Sequence, residues 1–421
     1  MKIKGLLFGS AAAILTFNGA YAANEVVAEP EPAQFVRVCD AYGAGYFYIP
    51  GTETCMRISG YVRSELKGGD NIGARLHGGI NRDTYAWRSR MALNLHTATE
   101  TELGTLRSFM QIRSNWQRGA ELDNGSADLT QLRFAYIELA GLRVGLDESI
   151  FNHWTGYNGA VLNDDVVNPM LYTRTNVISY TYNSGSGFSA ILGLEQGNDE
   201  MSDPYNQNFG YSFHRDAAGN LDYKTQSLSG KTTDYTPNVL GGLKLVQGWG
   251  GVSAVAAYDA YYQKWATKAR LDLNVTDQWS VWIMGGYKSA DDYYNFDKSF
   301  NQTTSQNAAG STLKRLGIYR MVNSIYGDWG GDWSAWGGTT YKFNRQTSFN
   351  AQASYDDDRT FAASLNIRYD LVPGFTITPE ISYISWDSNK KFTDAADTVE
   401  YVNSLKGNHA VQGMVRIQRS F

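Results

Sequence analysis

From Trp87 to Leu95 the chain reads WRSRMALNL, with apolar and polar residues in alternation. Trp87, Met91, Leu93 and Leu95 share one face, and Arg88, Arg90 and Asn94 share the other. The pattern returns in Trp265–Asn274, where Trp265, Ala269, Leu271 and Leu273 oppose Lys268, Arg270, Asp272 and Asn274. It returns again in Phe361–Asp370. A period of two marks a β-strand, and helical periodicity is scarce elsewhere. Each stretch is about 9–11 residues long, enough for a strand tilted across a bilayer. A soluble antiparallel sheet also alternates, but here the polar face carries charge and the strand ends carry aromatics. Such faces must meet two different media. A closed transmembrane β-barrel, polar inside and apolar outside, satisfies both.

Composition supports an all-β barrel. The 421 residues include 43 Gly, 28 Tyr and 11 Trp, yet mean hydropathy is only −0.39. A soluble multidomain chain of this length needs amphipathic helices and a richer aliphatic core. A barrel needs neither, and aromatics gird its interfaces. The net charge of −5 argues against nucleic acid, which calls for a basic face.

The connections supply a strand count. Short turns are expected near 99–104, 139–143, 183–188, 246–251, 275–279, 343–347 and 372–375. Longer connections, rich in Asp, Asn, Ser and Gly, include 68–84, 197–236, 288–328 and 387–409. Short turns at one end and long loops at the other are the bacterial outer-membrane pattern, and seven short turns imply about sixteen strands.

The N-terminus reads as an export signal. Lys2 and Lys4 precede a small apolar run, and Ala20-Tyr21-Ala22 fits a cleavage site. The expected organisation is a signal peptide over 1–22, a mature N-terminal segment over 23–55, and the barrel over 56–421. Residues 23–34 read as a flexible start. Cys39 and Cys55, the two cysteines of an exported chain, are expected to form a disulfide worth about 3 kcal/mol. At the other end, VQGMVRIQRSF (411–421) alternates up to Phe421. That strand is expected to pair with the first and close the barrel, leaving no edge in lipid. Arg419 falls on its outward face, where it is expected to snorkel into the headgroup region.

Several segments resemble the alphaproteobacterial outer-membrane porins of the Brucella and Rhizobium type. They are VRVCDAYGAGYFYIPGTETCMRISGYVR (36–63), ETELGTLRSFMQIR (100–113), FAYIELAGLRVGLDES (134–149), VPGFTITPEISY (372–383) and the terminal VRIQRSF. The resemblance implies a sixteen-stranded, homotrimeric diffusion porin whose third loop folds inward, and it implies that the C-terminal aromatic strand is read by the barrel-assembly machinery.

A diffusion porin needs acidic groups on an inward loop facing basic groups on the wall. Alternation turns Arg63, Arg88, Arg90, Arg113 and Arg133 toward the lumen, together with Arg57, Arg107 and Arg143. A short strand over 142–146 leads into Asp147 and Glu148, and then into 151–171, which is more apolar than the other loops and carries Asp164 and Asp165. The expected constriction therefore sets Asp147, Glu148, Asp164 and Asp165 against those five arginines. The alternative is a sugar-selective channel, hinted at by Trp154 and Tyr157. No catalytic residues, metal site or cofactor are expected: the five histidines are scattered and no GxSxG elbow occurs. GDWGGDWSAWGG (327–338) reads as a strand start at a membrane interface. Asp356-Asp357-Asp358 reads as a solvated hairpin. Outer-membrane lipid, lipopolysaccharide bridged by cations on acidic loops, and small hydrophilic solutes complete the expected partners.

Overall fold

The computed structural model describes residues 37–73, 84–119, 129–164, 174–196, 209–218, 221–227, 236–297, 302–307, 309–321, 326–388, 391–394 and 398–421. The expected signal peptide, residues 23–34 and Asp165 lie outside them.

Sixteen antiparallel strands form a closed barrel. They are β1 (Cys55–Gly69), β2 (Thr84–Thr101), β3 (Gly104–Gly119), β4 (Leu129–Leu139), β5 (Leu142–Glu148), β6 (Arg174–Asn183), β7 (Phe188–Glu195) and β8 (Asn238–Gln247). They continue as β9 (Gly250–Asp259), β10 (Lys264–Asn274), β11 (Trp279–Lys288), β12 (Trp333–Lys342), β13 (Thr347–Asp356), β14 (Thr360–Val372), β15 (Phe375–Trp386) and β16 (Asn408–Ser420). Each pairs with its sequence neighbour, and β16 closes on β1 in the register Tyr61↔Ser420 to Gly69↔Gln412. The backbones of Gly60 and Phe421 exchange hydrogen bonds of 2.9 and 3.0 Å, which completes the seam.

The seven expected short turns all lie at one end of the barrel. Between β4 and β5 only Ala140 and Gly141 remain, and Gly141 has φ +89°. A Cβ there would sit 2.5 Å from the carbonyl oxygen of Thr181, so the turn demands glycine. At the opposite end the connections are mostly long, but those after β9 and β13 are tight.

Alternation sorts the side chains as expected. Val62, Trp87, Met91, Leu192, Ile283, Val411 and Val415 are exposed on the outer face, where a belt of such residues meets lipid. Arg419 also points outward, but it does not run free into the headgroup region: its Nη1 donates to the carbonyl of Pro373, 2.9 Å away on the neighbouring turn.

Below Phe421 the first strand outruns its last partner, and Phe47–Tyr48 pairs with Cys55 and Met56 instead. The Cys39–Cys55 disulfide, with Cα atoms 6.1 Å apart, staples this segment to β1. Tyr46 packs edge-on to His96 and lies under the Arg57 guanidinium.

At the long-connection end the loops carry structure of their own, and two expectations change. Parts of the loops at 197–236, 288–328 and 387–409 form a second sheet of seven short strands. Thr312–Met321 lies at its centre and pairs in parallel with Val399–Asn403. The Asp356–Asp358 hairpin is solvated only at Asp357. Asp356 and Asp358 are buried, and they accept hydrogen bonds from the Gly330 and Thr360 amides and the Ser388 hydroxyl. Of the tryptophans in 327–338, Trp333 alone is exposed. Trp329 and Trp336 are buried and pack edge to face at 5.4 Å.

Candidate functional site

The lumen is not uniform around its circumference. From β6 to β12 many inward positions are apolar, among them Val177, Ile191, Leu240 and Trp282, and they meet one cluster centred on Ile150, Phe151 and Trp154, while inward charges such as Glu195 and Lys268 touch the same segment. These three belong to the segment after β5, which turns inward instead of out to solvent. A single helical turn, α1 (Ile150–His153), starts it, with the Ser149 hydroxyl accepting from the Phe151 amide. The wall makes room by omitting side chains. A Cβ on Gly193 would lie 2.2 Å from Ile150, and one on Gly242 would lie 2.5 Å from Trp154. Burying each large side chain of this segment contributes about 1.5–3 kcal/mol. Trp154 Nε1 also donates to the Leu243 carbonyl at 3.2 Å.

The segment then crosses to the far wall. Arg270 on β10 donates to the Tyr157 carbonyl. Asn366 on β14 donates to the Ala160 carbonyl at 2.9 Å. Glu380 on β15 accepts from two successive amides, Leu162 and Asn163, the latter at 2.7 Å. Gln352 on β13 reaches the Asp164 carbonyl at 3.3 Å.

One open region faces β16 and β1–β4. A cavity of about 470 Å³ is lined there by all five expected arginines, Arg63, Arg88, Arg90, Arg113 and Arg133, and by Tyr157, Val161 and Asp164 from the crossing segment. Arg133 arrives through an irregularity in the β3–β4 register, between Gln111 and Ile112. A bulge of this kind re-aims a side chain.

The expected carboxylates divide. Asp164 lines the cavity. Asp147 and Glu148 do not face the arginine wall: they end β5 and hold the root of the segment. Asp147 pairs with Arg143 at 2.7 Å and accepts from the Glu148 amide at 2.7 Å. Glu148 accepts from Asn152 Nδ2 at 3.0 Å and from the Tyr157 hydroxyl. Burial, with Glu148 beside it, pushes the Tyr157 hydroxyl well above its ordinary pKa, so it stays a donor. Trp154 is buried against the wall, while about half of Tyr157 is exposed although its hydroxyl is tied to Glu148, so the two do not form a file of open rings.

Four residues were left out of the expected constriction. Lys67 and Arg416 line the same cavity. Glu65 is almost wholly buried among three arginines, at 2.6 Å from Arg88 Nε, 2.6 Å from Arg416 Nε and 3.2 Å from Arg63 Nε. Glu65 and Lys67 share the parity of Arg63, so alternation already marked them as inward. Glu380 shares a face with Thr378 and Ser382, so parity marked it as inward too, but nothing local names its partners, which lie 217 and 218 residues away.

A closed barrel with an apolar outer belt, a charged lumen and an infolded loop defines a bacterial outer-membrane porin, a non-enzymatic channel. The chain belongs to the porin family, with residues 24–414 matching the family described as "Porin subfamily". It is 45% identical over 428 residues to Porin Omp2b of Brucella suis, covering all of both chains. It is 43% identical over 427 residues to Porin Omp2b of Brucella abortus strain 2308, again over the whole of each. Among solved structures, the outer membrane channel DcaP of Acinetobacter baumannii is similar in fold, with a TM-score of 0.56 at 14% identity over 89% of this chain and 99% of that one.

Proposed function

We propose that the channel passes small hydrophilic solutes and ions by passive diffusion, and that selection occurs at an eyelet between the infolded segment and the arginine wall. The acidic side is Asp164, with Asp165 next to it in sequence. Asp147 and Glu148 act through the root of the segment. The basic side is Arg63, Arg88, Arg90, Arg113 and Arg133. Opposed charges across a narrow, water-filled passage set up a transverse field that orders water and orients dipolar solutes. The single observation behind this reading is the cavity that gathers all five arginines and Asp164. Such exchange needs no cofactor and no energy source. The burial of Trp154 offers nothing to the sugar-selective alternative.

The remaining parts of the reading follow porin architecture. Residues 1–22 act as a cleaved signal. The protein is a homotrimer in which part of the outward apolar belt packs on neighbouring copies. The rest of the belt meets lipid and lipopolysaccharide, and the strand ending at Phe421 engages the barrel-assembly machinery. Native gel electrophoresis of the detergent-extracted protein tests the trimer. Single-channel recording of Arg88→Ala and Asp164→Ala tests the eyelet: both are expected to alter conductance, and unchanged values in both would remove the assignment.

A further inference from the structure

We propose that the eyelet is a binding site for small oxyanions such as phosphate or carboxylates, and that it makes the channel prefer anions to cations. This rests on the eyelet reading above and adds a solute class to it.

Charge is the first ground. The residues lining the cavity carry seven Lys and Arg side chains and one carboxylate, Asp164. Glu65 adds a second carboxylate just behind the wall, and its oxygens are spent on Arg63, Arg88 and Arg416. The described groups thus leave a strong positive excess. Low-dielectric walls around such an excess concentrate counter-ions in the passage.

Register is the second ground, and it is independent of the count. Glu65 stands directly opposite Arg88 on one side and Arg416 on the other, so each of those like charges has an acid beside it. Arg63 stands directly opposite Arg90, with Gln418 on its other side. Like charges in direct cross-strand register are destabilising. Glu65, 3.2 Å from Arg63 Nε, offsets part of that repulsion, while Arg90 Nε donates to the neutral Asn115 oxygen, so an anion lying between the two guanidinium groups relieves what remains.

The donors themselves select for oxyanions. Arg113 and Arg133 each bury an Nε atom with no hydrogen-bond partner among the described residues, while their side chains line the cavity. A guanidinium is a planar fork that matches two oxygens of one carboxylate or phosphate. Adjacent strands lie about 4.8 Å apart, so one oxyanion can engage forks from two strands. Glu65 fixes the orientation of three of these forks without occupying the passage.

The test uses the full mature barrel in planar bilayers. Under a potassium chloride gradient, the sign of the reversal potential is expected to report a severalfold preference for chloride. Inorganic phosphate on one side is expected to reduce chloride current in a saturable way. Arg63→Gln and Arg90→Gln, each checked for the folded, heat-modifiable gel band, are expected to weaken both effects. A preference for potassium, or phosphate that does not compete with chloride, overturns the proposal from the wild-type protein alone, whatever the folding of the variants. Variants that fold and keep both effects unchanged overturn it too. If Arg88→Ala and Asp164→Ala alter conductance while the wild type prefers potassium, the eyelet stands and only the anion site falls. If those two variants alter nothing, the eyelet reading itself is lost.

Discussion

Glu380→Ala should release the tip of the infolded segment without harming the barrel. Glu380 is buried on β15 and accepts from the amides of Leu162 and Asn163, the latter at 2.7 Å. Two hydrogen bonds to a charged acceptor contribute about 3–6 kcal/mol together. The other ties at the tip are neutral: Asn163 to Ser382 at 3.0 Å, Asn366 to Ala160 at 2.9 Å, Gln352 to Asp164 at 3.3 Å and Ser364 to Asn163 at 3.5 Å. At about 1 kcal/mol each, these four supply about 4 kcal/mol. The carboxylate therefore holds about half of the tip. Water from the lumen re-satisfies the freed amides, so the low end of the range applies. A loss of about 3 kcal/mol shifts the detached-to-docked ratio by roughly a hundredfold. Single-channel recordings should show larger mean conductance and more open-channel noise. Hydrogen exchange at residues 160–164 should accelerate. Glu380→Gln keeps one carbonyl acceptor and should fall between the two. Wild-type conductance, noise and exchange in both variants would refute the reasoning.

Three further outcomes follow. Gly242→Val places a Cβ 2.5 Å from the Trp154 ring and 3.0 Å from the Ala254 carbonyl; overpacking of this kind costs about 1–3 kcal/mol, and it should lower the melting temperature in detergent and disturb conductance. Replacing Cys39 and Cys55 by serine should leave a closed, conducting barrel but expose residues 37–54 to protease, because the staple joins a segment that lies outside the sixteen-strand ring. His153, in the infolded segment, is held by burial below its ordinary pKa of 6.5, against the opposing pull of Asp147 and Glu148. The undocked segment then binds the proton more readily, so docking is strongest above about pH 6.5 and weakens as pH falls below it. Acidification should raise channel noise, and His153→Gln should flatten that dependence.

Much of this protein is written locally in its sequence. A period of two is a property of neighbouring residues, so the inward setting of Arg63, Arg88, Arg90 and Arg113 needed no knowledge of the fold. Short turns betray themselves by length and glycine, and they gave the strand number. Glu65 and Lys67 were legible by the same parity, yet parity does not tell which inward residues meet. Tertiary structure decided that Asp164 reaches the cavity while Asp147 and Glu148 brace the root, because the segment's path depends on where Gly193 and Gly242 leave space on strands far along the chain. It also turned Trp329 and Trp336 into the barrel and joined residues 314–318 to 399–403 in a parallel pair. Alternation assigns each residue to a face. The meeting of Leu162 with Glu380, 218 residues on, depends on closure of the ring, which no local pattern encodes.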